Sequence, residues 1–148
     1  MLRTAFRSCR RSLGVFEVIV LDTHTWVWWL TAPERLSRKT QKLIEHSLAQ
    51  AEVRISSISV WEITMLVSRG RLSFTVDFPS WLNVATSVPG VRFYPVDNSV
   101  AYQAVNLPGN FHADPADRMI VATALALDAT LISGDQKIQN YSYVKAVW

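Results

Sequence analysis

The chain has 148 residues, 49% of them apolar, close to the commonest size of one domain and enough to bury a sizeable core. Asp, Arg, Gly or Pro interrupts every hydrophobic run well short of the ~18 residues that a membrane-spanning helix requires, which excludes such a helix and leads us to expect a soluble protein. The formal charge of +3 does not mark the folded part as nucleic-acid-binding, because Arg3, Arg7, Arg10 and Arg11 supply four of the fifteen basic residues and the remaining eleven face twelve acids.

Residues 1–17 read as a basic extension, either disordered or the product of a start codon upstream of the native one. The stretch from Arg10 to Phe16 resembles a twin-arginine export signal, but Glu17 and Asp22 cut short the apolar region that such a signal needs. Cys9 is the one cysteine, so no disulfide framework or thiolate metal site can be built within one chain, and a reducing, cytoplasmic setting is expected.

From there the β-branched run at 17–21 predicts a buried parallel strand ending at Asp22. A helix through Trp26, Trp28, Trp29 and Leu30 is stopped by Pro33. Residues 37–50 place Leu43, Ile44 and Leu48 at helical spacing, and 53–56 is a second brief strand. Ser59 is expected to open the next helix, which Gly70 stops. Helices over 78–88 and 98–107 flank a strand at 91–96. After the turn-rich Leu107-Pro-Gly-Asn110 an apolar helix begins at Pro115 and runs to Leu127, followed by strands at 130–133 and 144–148. Strands alternating with helices predict a three-layer α/β/α sandwich on a central, mostly parallel sheet of four to five strands spanning 18–148.

In such a sheet the reactive crevice lies at the carboxyl ends of the strands. Asp22 ends the first strand, Glu62 is expected in the first turn after the second, Asp117 in the first turn of the long apolar helix, and Asp135 after the fourth strand. Clustered carboxylates repel one another unless a cation sits among them, and oxygen-only ligands suit Mg²⁺ or Mn²⁺. Each acid also has a structural reading. Ser59-Val60-Trp61-Glu62 fits a capping box, Asp114-Pro115-Ala116-Asp117 fits an N-cap followed by proline, and Asp135 fits a turn residue. Asp22 is harder to explain without a partner, since it ends a buried strand.

Leu21-Asp-Thr-His-Thr-Trp26, Ser56-Ser-Ile-Ser-Val-Trp-Glu62, Phe111-His-Ala-Asp-Pro-Ala-Asp-Arg118 with Ala122-Thr-Ala124, and Leu131-Ile-Ser-Gly-Asp135 resemble, in order, the signatures of VapC-like PIN domains. The resemblance implies a compact nuclease fold, Mg²⁺ or Mn²⁺ dependence, RNA as substrate, frequent homodimers and inhibition by a small cognate antitoxin. It carries the family's acids to Asp22, Glu62, Asp117 and Asp135, and its hydroxyl residue to Ser133. The basic extension before Val18 departs from the family.

Further residues carry alternatives. His24 is placed to contact substrate or to pack among tryptophans, and Arg118 to orient a carboxylate or to bind phosphate. Asp114 is expected to cap rather than to bind metal. The tryptophans offer stacking surfaces for RNA bases, although Trp26, Trp28 and Trp29 are expected in the core or a dimer interface. Arg35, Arg38, Lys39 and Lys42 are candidate phosphate contacts or a solvated helix face. A haloacid-dehalogenase-type phosphatase would need a second Asp two residues after Asp22, where His24 stands. A degenerate PIN module that only binds a partner would not need all four acids.

Overall fold

The short hydrophobic runs of the sequence become strands, and the amphipathic stretches between them become helices. In the computed structural model, which describes residues 17–148, the elements are β1 (Ile19–Leu21), α1 (Thr23–Thr31), a 3₁₀ turn (Pro33–Arg35), α2 (Arg38–Ala49), β2 (Val53–Ser56), α3 (Ser57–Ser68), α4 (Phe78–Ala85), β3 (Val91–Tyr94), α5 (Asn98–Val105), α6 (Pro115–Leu127), β4 (Thr130–Ile132), α7 (Gln136–Gln139) and β5 (Ala146–Val147). The reading of the basic extension falls on residues 1–16, outside those described. Glu17 belongs to the fold, since its carboxylate accepts bonds from Lys145 Nζ at 2.7 Å and from the Thr130 hydroxyl.

All five strands are parallel, in the order β3-β2-β1-β4-β5. Side chains alternate across a strand, so Val20 and Leu131 face one layer while Ile19, Leu21, Val53, Ile55 and Ile132 face the other. The first layer is closed by α5, α6 and α7 through Val100, Ile120 and Ile138. The second is closed by α1, α2 and α4 through Trp26, Ile44 and Ala85. With both faces covered, β1 is wholly buried, as a central parallel strand must be. No helix among the described residues is long and apolar enough to cross a membrane.

Several predicted boundaries move. Helix α3 starts at Ser57 with Ser56 as its N-cap, not at Ser59, whose hydroxyl instead accepts a bond from Thr23 Oγ1 at 2.9 Å. Glu62 therefore stands in the second turn, and the capping-box reading fails. Helices α4 and α5 end two or three residues earlier than periodicity suggests, at Ala85 and Val105. The single turn α7 has no helical period to reveal it.

Candidate active site at the carboxyl edge of the sheet

Register brings the candidate acids to one edge. Leu21 pairs with Ile55 on one side and Ile132 on the other, so the residues after them, Asp22, Ser56 and Ser133, end level. The Asp22 amide donates to Ile132 O at 3.1 Å and Thr25 Oγ1 donates to the same oxygen at 2.9 Å, tying the start of α1 to the end of β4. The Thr23–Ser59 bond ties it to α3, the helix that carries Glu62. Asp22 is itself almost fully buried, and its Oδ1 accepts the Thr25 amide at 2.8 Å as the N-cap of α1.

Asp135 is held in the same way, its Oδ1 accepting the amides of Lys137 at 2.8 Å and Ile138 at 3.2 Å. The fully buried Ser133 hydroxyl accepts the Asp135 amide at 3.1 Å and so sets the loop between them. Gly134, between the two, lies under the Trp148 ring, which a β-carbon there would meet at 2.8 Å.

Asp114 caps α6, its Oδ1 accepting the Asp117 amide at 2.9 Å, and it is exposed. Asp117 occupies the third helical position and is partly buried. Burial, followed by the negative charges of Asp114, Glu62, Asp135 and Asp22, pushes its carboxyl up to about 7. The acids thus act on one another across the edge, although among the described residues no three His, Cys, Asp or Glu side chains form a ready-made metal cage.

His112, which the sequence offers only inside the Phe111–Arg118 motif, places Nε2 3.2 Å from Asp117 Oδ2. The approach is off the line of a hydrogen bond, so Nε2 has no hydrogen-bond partner, while Nδ1 accepts the Asp114 amide at 3.4 Å. A position five residues before an acid on an irregular loop gives no periodic signal of this contact. Thr23, Thr25 and Ser59 were also missed as organisers of the site; hydroxyls among the otherwise apolar residues of α1 and α3 were the available sign.

Arg118 is committed to backbone. Four of its guanidinium N–H groups donate to Ala104 O, Phe111 O, His112 O and Val105 O at 2.7, 2.8, 3.0 and 3.2 Å, which fastens the end of α5 to the loop before α6. One N–H remains, and the side chain also lines a groove with Ala101, Phe111 and Met119. His24 is exposed, its ring meeting the edge of Trp28 with centroids 5.9 Å apart. Trp26 is wholly in the core against Trp81 and Phe93, which removes it from any dimer interface.

A parallel sheet that gathers acids at its carboxyl edge is the frame of a nuclease-like α/β module, and the comparison with known families makes the class specific. The PIN-domain model matches residues 19–142, from β1 through α7, and the chain belongs to that family. Ribonuclease VapC22 of Mycobacterium tuberculosis is 33% identical over 129 residues, covering 87% of this chain and 95% of that protein. Among solved structures, VapBC2 from Rickettsia felis bound to a DNA fragment from their promoter matches with a TM-score of 0.63 at 18% identity, over 88% of this chain and 97% of that one. DNA-bound VapBC from Salmonella typhimurium matches at 0.65 and 14% identity, with the same shares. These two share the fold with this chain.

Proposed function

We propose that the chain is a divalent-metal-dependent endoribonuclease and the toxin of a toxin–antitoxin pair, with Asp22, Glu62, Asp117 and Asp135 as metal-binding acids in a nuclease domain over residues 17–148. The observation that carries the reading is the Asp117 carboxyl, raised first by its burial and then by the charges of Asp114, Glu62, Asp135 and Asp22 around it: an arrangement that costs stability by itself is accounted for by a cation among the acids. The donor set fits Mg²⁺ or Mn²⁺, since it is all oxygen. Asp22 and Asp135 each spend Oδ1 on a cap and keep Oδ2, and Asp117 keeps Oδ1, so every acid retains an oxygen to offer.

When bound, the cation supplies charge stabilisation at the phosphate and an activated water for attack on phosphorus. The chain's part is to hold the acids in place. The caps fix the Asp22 and Asp135 carboxylates, and Ser133, too buried to reach substrate, acts as a positioning residue through the Asp135 amide. RNA as substrate is supported by the identity to a named ribonuclease. A small antitoxin as partner is supported by neighbours such as the toxin-antitoxin complex from Klebsiella pneumoniae, with a TM-score of 0.58.

The purified chain is expected to cut a single-stranded RNA with Mn²⁺ and to stop when EDTA is added. Asp22→Asn is expected to abolish cutting and to relieve the growth arrest that expression of the wild-type chain causes in a bacterial host. Uncut RNA with either metal, from folded wild-type protein, overturns the reading.

A further inference from the structure

The basic cluster singled out in the sequence and two half-buried tryptophans at the rim of the core, Trp28 and Trp148, meet beside the acidic edge. The Trp148 ring lies on Gly134, between Ser133 and Asp135. Trp28 packs on Trp148 with centroids 5.8 Å apart, and the Arg35 guanidinium sits 4.9 Å above the Trp28 ring. On the other flank His24, two residues past Asp22, meets Trp28 edge-on. Trp28 and Trp148 are half-buried, whereas His24 and Arg35 are exposed. This row of rings leads away from Asp135 and ends on a flat cation.

Beyond Arg35 the charge continues in one sign. Arg38, Lys39 and Lys42 follow at helical spacing, all exposed, and the first turn of α2 holds no acid. Glu34 and Glu45 are the acids of this stretch, so four bases face two. Neither Arg35 nor these three bases forms an ion pair with a described residue. A guanidinium over an indole face and open to water offers a flat surface on which a base can stack, and neighbouring cations suit the phosphates that follow.

We propose that Arg35, seated on Trp28 between His24 and the Trp148-covered loop, is a stacking platform for one base of a single-stranded RNA, and that Arg38, Lys39 and Lys42 hold the phosphates of the strand leaving the acidic edge. The inference rests on the ribonuclease reading and names the track by which its substrate is held. Charge complementarity selects RNA over a protein segment, because the exposed end of the row is cationic and unpaired while its aromatic surface is half-covered.

The test is binding of a labelled single-stranded RNA of about 12 nucleotides to the full chain in EDTA, read by fluorescence anisotropy over a range of salt. Arg35→Gln is expected to weaken binding about five-fold or more, and Arg35→Lys, which keeps the charge but loses the plane, to recover little of it. Arg38→Gln with Lys39→Gln is expected to flatten the salt dependence by about 0.7 per charge removed. Arg92→Gln, an exposed arginine on the far edge strand β3, controls for net charge and should lose less than any of these. All of these side chains are exposed, and unchanged melting checks that the variants fold. Arg35→Gln binding no worse than Arg92→Gln overturns the platform and leaves the face to a protein partner. A wild-type chain that cuts RNA while every variant binds normally overturns the platform alone, whereas a wild-type chain that neither binds nor cuts RNA overturns the ribonuclease reading with it.

Discussion

Asp117 is a carboxyl whose folded environment opposes its charge. Its ordinary value of 3.8 is pushed to about 7, so between those limits the folded chain binds more protons than the unfolded one. The stability that the protonated acid contributes is fully present below about pH 4 and is lost as pH rises through about 7, a loss that solvent screening of this partly exposed group reduces to a few kcal/mol. Asp117→Asn is therefore expected to melt several degrees above wild type at pH 8 in EDTA and to flatten the fall in stability between pH 5 and 8, while abolishing RNA cleavage. A variant that melts at or below wild type there would show that the acid is not under repulsion. Asp114→Asn keeps a competent cap and is expected to cost a few tenths of a kcal/mol and to leave most cleavage intact. Parallel activity assays and melting curves on the two variants separate acids three residues apart.

The seven helices among the described residues all start from a side chain that accepts a first-turn amide: Asp22, Ser37, Ser56, Asp77, Asp97, Asp114 and Asp135. Capping therefore does not separate metal-binding acids from structural ones, since Asp22 and Asp135 cap as Asp114 does, and Asp77 and Asp97 cap helices outside the acidic cluster around Asp117. Asp22 and Asp135 cap helices that directly follow β1 and β4, whereas Asp114 caps α6 from an exposed loop, although its charge also bears on Asp117. The ends of β1 and β2 were legible in the sequence because a β-branched run followed by a polar residue is a local signal, and of the seven caps Asp114 was legible from the proline that follows it. The start of α3 was not, because Ser56 and Ser59 look alike locally and the choice is made by Thr23, 36 residues away. Arg118 was illegible for the same reason, its four partners being carbonyls brought up by folding. Arg118→Ala strands the last carbonyls of α5 and those of residues 111 and 112, and is expected to cost on the order of 2–4 kcal/mol in urea unfolding. Arg118→Lys cannot reproduce the fork and should recover less than half. A loss below about 0.5 kcal/mol would show that water replaces the fork.

For the whole molecule, alternation of strands and helices predicted a parallel sandwich, but not the order of strands, which no local pattern encodes. The expectation of a homodimer rests on the family resemblance and on the segment from Trp26 to Leu30, of which Trp26 and Val27 prove to be core. Among the exposed apolar side chains, Tyr102 at 67% and Val105 at 76% stand together on α5 beside a groove of about 380 Å³ that Val105, Phe111 and Met119 help to line. Light scattering is expected to give a dimer at tens of micromolar and a monomer for Val105→Glu; a wild-type monomer ends the expectation. Millimolar Mg²⁺ or Mn²⁺ is expected to raise the melting midpoint by mass action, and Asp22→Asn to remove most of the gain. An unchanged midpoint in the wild type would count against metal binding.

The level strand ends also govern when the site comes into being. The central strand β1 is synthesised first, yet its second neighbour, β4, is not made until residue 130, and Asp135 follows that strand. A chain still emerging from the ribosome can present Asp22, Glu62 and Asp117, but not the edge on which they meet Asp135. Pairing between segments so distant also makes folding slow. With Asp135 among the proposed metal-binding acids, the translating ribosome meets a chain whose acidic edge is still incomplete, and the proposed site is assembled only once β4 has paired with β1.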